Sequence, residues 1–227
     1  MPAPPLVTFD VFSALVDSRH GAAQTLDGWA GERGWAVSGR AVYDRWDALN
    51  KSAHREVQSW LPYTELAETA LAATYAQLDL QGEPATDTRA LLASMADWPL
   101  WPDVEEGLAE LSGHCRLGVL SNIDEDLLAL TRVRTLPVDP TAVVASERVR
   151  AYKPAARMYA EAGRLLGRFV HVASSARDVR GALEAGVAVV RLRRPGHSVD
   201  PAGPLPQHET SSTIGLAALI TEVVHQR

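Results

Sequence analysis

After Pro99 the chain alternates short apolar runs with helical patterns, while before it one such run is followed by a long stretch, Ser18 to Trp98, that contains no other. This order constrains the fold more than any other feature. Leu6 to Phe9 is too short for a helix and ends in Asp10, so it reads as a buried strand with a loop at its carboxyl end. Within Ser18 to Trp98 the patterns are helical. Ala22, Leu26 and Trp29 share a face closed by Gly34, and Val42, Tyr43, Trp46 and Leu49 suggest a second helix. Leu66, Ala67, Ala70, Leu71, Thr74, Tyr75 and Leu78 form a long amphipathic stripe with Gly82 past its end, and Leu91, Leu92 and Met95 mark a weaker fourth helix.

Beyond Pro99, Asp103-Val104-Glu105-Glu106 has capping-box spacing and opens a helix carrying Leu108 and Leu111. Leu117 to Leu120 reads as a strand, with Asp124 as N-cap of the helix that follows. Ala142 to Ala145 is another strand, and Pro154 suits the first turn of a helix carrying Met158, Tyr159 and Leu165. Phe169 to Val172 is a strand, Val179 to Glu184 a helix closed by Gly186, and Ala188 to Leu192 a strand. Pro195 to Ser211 reads as a loop and Ile214 to Val224 as a last helix. The pattern predicts an α/β fold, a parallel sheet with helices on both faces, in which residues 1–17 and 99–227 form the core and an all-helical cap, 18–98, is inserted. Ligands of such sheets bind outside the carboxyl ends of the strands. Those ends carry Asp10, Ser121-Asn122, the stretch before Lys153, and Ala173-Ser174-Ser175.

The formal net charge of -6 argues against nucleic acid as a partner, because phosphate binding needs a basic face. Cys115, the single cysteine, excludes an intrachain disulfide and reads as a packing residue in a reducing compartment. Met1-Pro2-Ala3-Pro4-Pro5 lacks the basic and apolar regions of a signal peptide, and no apolar run is long enough to span a bilayer. A cytoplasmic protein acting on a small molecule, with no membrane partner, is the expectation. The long cap stripe is a candidate homodimer surface.

Phe9-Asp10-Val11-Phe12-Ser13-Ala14-Leu15-Val16-Asp17, Leu120-Ser121-Asn122, Tyr152-Lys153-Pro154 and Val172 to Asp178 occur in that order. Together they resemble the motifs of the haloacid dehalogenase (HAD) superfamily, whose core is a Rossmannoid sheet, and most of all its type II (L-2-haloacid) dehalogenases. The resemblance spans essentially the whole chain. It implies that Asp10 is a nucleophile that forms an ester later hydrolysed by water. It implies further that Lys153 orients Asp10, that Ser121 and Asn122 bind substrate or halide, and that Tyr159 matches a tyrosine of the dehalogenases. Ser174, Ser175 and Asp178 would serve the hydrolytic water, and of the cap's Arg40, Arg45, His54 and Arg55 it is Arg55, with His54 beside it, that lies closest to the position of a cap arginine that binds halide or carboxylate. Trp46, Trp60 and Tyr63 suggest an apolar lining.

Departures from the motifs refine the expected chemistry. The superfamily's phosphatases carry a second acid two residues after the nucleophile to protonate the leaving group. This chain has Phe12, which cannot donate a proton, whereas a halide leaves without one. Magnesium-dependent members add two acids in the last motif; here Asp178 is present and Ala173 stands where the other would be. No metal and no cofactor is therefore expected, with magnesium reserved for an alternative reading as a phosphatase with a poor site. Ala14 removes a hydroxyl that usually fixes the nucleophile, leaving Ser13 one position away, and Ser175 stands for an asparagine. These losses keep open a third reading, a binding module without turnover. The leading expectation is metal-independent cleavage of a carbon–halogen bond in a small 2-haloacid.

Overall fold

The computed structural model describes residues 4–226. Met1 to Ala3, part of the segment read above for a signal sequence, lie outside the described residues. Strand β1 (Leu6–Phe9) leads through a short π-helical turn, Val11–Leu15, into four successive helices, α1 (Ser18–Arg33), α2 (Gly39–Glu56), α3 (Tyr63–Leu78) and α4 (Pro84–Ala93). The alternating part follows: α5 (Val104–Ser112), β2 (Arg116–Ser121), α6 (Glu125–Leu130), β3 (Val143–Ala145), α7 (Ser146–Val149) and α8 (Ala156–Leu166). It ends with β4 (Val170–Ala173), α9 (Ala176–Glu184), β5 (Ala188–Leu192), β6 (His208–Thr210) and α10 (Leu216–His225).

All strand pairs are parallel, in the order β3-β2-β1-β4-β5-β6. The chain therefore builds outward from β1 on one side and from β4 on the other. The strand order reverses between β1 and β4, which opens a crevice at their carboxyl ends. β1 and β4 are buried throughout, as expected for strands covered on both faces. Two polar residues interrupt them, Thr8 and His171, which are register partners.

The four-helix insert is joined to the sheet by two paired connectors. Val16 bridges Leu100, the Asp17 N–H donates to the Pro99 carbonyl at 2.9 Å, and the Trp101 N–H donates to the Leu15 carbonyl at 3.0 Å. The insert also borrows a cap from the sheet side. α3 begins after Pro62, which has no side chain able to cap it, and the Asp124 carboxylate accepts from the N–H groups of Tyr63 (2.9 Å) and Thr64 (3.0 Å). That satisfies two of the four otherwise free donors of the first turn.

Several local expectations change. Asp124 flanks α6 but makes no side-chain bond to it, because its oxygens serve α3. Asp103 does not form the capping box either: it accepts from Arg194 Nη1 at 2.6 Å and from the Thr213 N–H at 2.6 Å, which ties α5 to the segment before α10. Pro154 precedes α8 instead of opening it, and the expected 195–211 loop contains the edge strand β6. The α3 stripe does not form a free surface. Leu66, Ala67, Ala70, Leu71 and Tyr75 are buried within the chain's own core. Cys115 is buried and unpaired, and burial pushes its thiol up to about 11. Among the described residues no helix is long and apolar enough to cross a membrane.

Candidate active site

The crevice between β1 and β4 gathers Asp10, Lys153 and Asp178. Asp10 follows β1 directly, and its N–H donates to the Val172 carbonyl of β4 at 3.0 Å, so its position is set by both strands. One carboxylate oxygen, Oδ2, accepts from Ser13 Oγ at 2.6 Å and from the Ser13 N–H at 3.2 Å. The π-helical turn brings Ser13 back over Asp10, so the hydroxyl missing at position 14 is supplied from position 13. The other oxygen, Oδ1, accepts from Lys153 Nζ at 2.7 Å.

Lys153 is buried with three acceptors for its three donors: Asp10 Oδ1, Asp178 Oδ2 at 2.5 Å and the Leu120 carbonyl at 2.8 Å. Burial alone would lower its pKa, but Asp10 and Asp178 outweigh burial and raise it, so the ammonium is charged at any working pH. Asn122 holds the lysine's backbone, its Oδ1 accepting from the Lys153 N–H at 2.7 Å and its Nδ2 donating to the Lys153 carbonyl at 3.0 Å.

Asp178 sits one turn into α9 and is almost wholly enclosed. Beyond Lys153, it accepts from Tyr159 Oη at 2.8 Å, and His171 Nε2 lies 3.1 Å from each of its oxygens. Burial favours the neutral acid, but the Lys153 and His171 charges and hydrogen bonds prevail and hold the carboxyl well below the usual carboxylate range. His171 Nδ1 in turn meets Thr8 Oγ1 at 2.9 Å, so a polar chain runs from Thr8 through His171, Asp178 and Lys153 to Asp10. Sequence reasoning missed Thr8 and His171. The available signal was a histidine inside an otherwise apolar strand, since a wholly buried polar residue needs a partner.

A cavity of about 940 Å³ opens over Asp10, walled below by the crevice and above by α1 and α2. Asp10, Phe12, Asn122, Lys153, Ser175 and Asp178 line it, as do Trp46 and Tyr63 from the insert. Phe12 stacks on Tyr63 with centroids 5.9 Å apart and lies 6.1 Å from Trp98, which places an apolar wall beside the carboxylate.

Other expected site residues stand elsewhere. Ser121 and Ser174 are wholly buried, neither lines the cavity, and each Oγ lacks a hydrogen-bond partner. Tyr159 acts from behind, on Asp178. Ser175 caps α9, its Oγ accepting from the Asp178 N–H at 3.4 Å. Arg55 is a correction: it is exposed, bonded to Ser52 at 3.3 Å and absent from the cavity wall, because at the last turn of α2 its side chain projects to solvent. Trp60 also lies off the wall, stacked on Tyr152 at 5.1 Å. Unforeseen in the wall are Arg177 and His197.

The donor set does not fit a hard cation. Position 12 offers no carboxylate, and its carbonyl already accepts from Ser18 Oγ at 2.7 Å. Both oxygens of Asp178 are taken by Lys153, Tyr159 and His171, and among the described residues no group of three His, Cys, Asp or Glu is arranged to hold a metal.

Comparison with known proteins decides the family. Residues 4–186 match the haloacid dehalogenase-like hydrolases. The chain belongs to this hydrolase family. No curated protein sequence matches it. Among solved structures, the L-2-haloacid dehalogenase of Xanthobacter autotrophicus with chloropropionic acid covalently bound has the same fold (TM-score 0.81, 20% identity, covering 96% of this chain and 98% of that one). A defluorinating L-2-haloacid dehalogenase is similar to the same degree (TM-score 0.81, 22% identity, 96% and 95% covered). A HAD hydrolase of Bacillus subtilis bound to magnesium matches at TM-score 0.78 and 14% identity, with 97% and 100% covered. At these identities the likeness concerns the fold.

Proposed function

We propose that this HAD-like hydrolase cleaves a carbon–halogen bond next to a carboxylate, without a metal, through an ester on Asp10. The observation that carries the reading is the pairing of a fixed carboxylate with an apolar neighbour. Asp10 is held by Ser13 and Lys153, and beside it stand Phe12, Tyr63 and Trp98 instead of an acid. A leaving group that departs there must be stable without a proton, and halide is.

Oδ2 already receives two hydrogen bonds and Oδ1 one, so Oδ1 keeps a lone pair for attack. An O–C bond forms at C2 as the carbon–halogen bond breaks, and halide leaves with the bonding pair. The Ser13 hydroxyl and N–H then face Oδ2, where negative charge develops when water adds to the Asp10 carbonyl carbon, and Lys153 faces the ester oxygen Oδ1, where its fixed charge stabilises the alkoxide that leaves on collapse. Collapse expels the 2-hydroxy acid oxygen and restores the carboxylate. The net change takes one water and yields alcohol, halide and one proton.

Asp178, strongly acidic and enclosed, is a poor base for that water and serves to hold Lys153. His197 is better suited to take the proton. It lies in the cavity wall, its ring makes no hydrogen bond among the described residues, and its backbone is held by Arg191 through a 2.9 Å bond to the His197 carbonyl. Burial, then the Lys51 charge, lower its pKa below the ordinary 6.5, so the neutral base is present at pH 7.

The test is single-turnover reaction with a panel of 2-haloacids in ¹⁸O-water, chelator present. Halide release with ¹⁸O in the peptide containing Asp10, abolished in Asp10→Asn, is expected. His197→Gln should let the ester accumulate as a mass increment on that peptide. No halide and no label from any member of the panel would refute the reading. Turnover of a phosphate ester that requires magnesium would replace it with the phosphatase.

A further inference from the structure

The cations facing the cavity differ in what they face. Lys153 lies between Asp10 and Asp178, Arg19 is paired with Asp44, Lys51 is paired with Asp47 at 2.5 Å, and Arg40, with no ion pair among the described residues, is exposed to solvent. Arg177, next to Asp178 on α9, is only partly exposed, lines the cavity and forms no ion pair among the described residues. Its guanidinium donates once, from Nη1 to the Lys51 carbonyl of α2 at 2.8 Å. Five donors on one planar group with a single acceptor leave a directed cation short of partners.

The same stretch of α2 presents a second unmet group. His54, one turn beyond Lys51, is buried and lines the cavity, and its Nε2 has no hydrogen-bond partner. Its ring cannot easily turn away, being stacked on Tyr152 with centroids 4.3 Å apart and planes 12° apart and lying 5.4 Å from Tyr63. Burial, followed by the Arg177 and Lys51 charges, lowers its pKa to about 3, which makes it a neutral imidazole close enough to Arg177 to respond to its charge. A neutral imidazole with Nε2–H is a donor that adds no repulsion to a neighbouring guanidinium. An orphaned donor and an unpaired cation on one wall match a single anionic ligand group, since each is costly to bury alone.

We infer that Arg177 of α9 and His54 of α2 form an anion subsite that takes the carboxylate of the substrate. Arg177 supplies the charge and His54 a neutral N–H. This assigns to the sheet side and to α2 together the role the sequence suggested for Arg55. Because Arg177 also holds the Lys51 carbonyl, the ligand's carboxylate strengthens the seating of α2 on the core. The subsite rests on the proposed function for the identity of the ligand, but its test needs binding only.

The experiment uses Asp10→Asn protein, which cannot form the ester, titrated calorimetrically with L-lactate and butyrate and with the corresponding amides. Carboxylates should bind more tightly than the amides. Arg177→Met should weaken carboxylate binding by about tenfold to a hundredfold, the range for a charge-assisted hydrogen bond, and leave amide binding unchanged. Arg177→Lys should restore part of the loss, and His54→Phe, which keeps the stack, should cost several-fold. Equal carboxylate affinity in the parent and in Arg177→Met would overturn the assignment, as would absence of carboxylate binding. Displacement of carboxylate by equimolar chloride would also overturn it, by making this a halide site. Halide release by the wild-type protein is a separate readout, so loss of the proposed reaction and loss of the subsite are distinguishable.

Discussion

Replacing Lys153 by Met removes the one cation between Asp10 and Asp178 and nearly preserves side-chain volume. Nζ makes two charge-assisted hydrogen bonds, at 2.7 and 2.5 Å, in a site where all three side chains are almost fully enclosed. Leaving a buried charge without its partner costs about 3–5 kcal/mol, and here two like charges are left facing each other. The sign of the pH dependence follows from the same contacts. In the wild type, Asp178 has a depressed pKa, so its contribution is present above the unfolded value of about 3.9 and is lost only as pH falls below that. In the variant only His171 and Tyr159 still oppose burial at Asp178, so its folded pKa rises relative to the wild type, and stability is lost as pH rises through it and recovered as Asp178 protonates. The destabilisation should therefore be larger at pH 8 than at pH 5. Urea unfolding of both proteins at the two pH values measures it. A difference below about 1 kcal/mol, or one that does not change with pH, would refute the claim that Lys153 balances two buried carboxylates.

Two further predictions concern contacts that sequence alone did not define. Ser13→Ala removes the 2.6 Å bond to Asp10 Oδ2, a hydrogen bond to a charged group worth about 1.5–3 kcal/mol. It should lower folding stability by up to that amount, read from urea unfolding, and lower kcat for halide release about 10- to 150-fold as Asp10 loses its fixed orientation. Asp124→Ala uncaps α3 from outside its own segment and should cost about 1 kcal/mol or somewhat more, read from urea unfolding. Asp124→Asn, which keeps an acceptor, should recover much of that loss.

The legibility of the site followed from the range of the interactions. The nucleophile candidate Asp10, Lys153 and Asp178 could be named because each ends or follows a strand in an ordered pattern, and parallel sheets bring such ends together. Ser13 was visible as a residue but not as a ligand of Asp10, because the π-helical turn that aims it has no propensity signature. Arg55 and Arg177 show the opposite case. Both are arginines on amphipathic helices, and only the packing of α2 over the crevice makes one solvent-facing and the other part of a cavity wall.

Periodicity by itself determined the β1 strand, the run of helices after it and the alternation that follows, since these depend on neighbours three or four residues apart. The same local pattern placed caps on Asp103 and Asp124, where each is drawn instead to a partner far along the chain, Arg194 and Thr213 in one case and the start of α3 in the other. Only the tertiary structure decided which polar residues meet. Thr8 and His171 lie on strands brought into register by the sheet, and their bond completes the chain of contacts behind Lys153. Local patterns choose the elements, but a carboxylate or a guanidinium goes to whichever complementary group the folded sheet and its helical insert bring within about 3 Å, because burial makes an unmet charge costly.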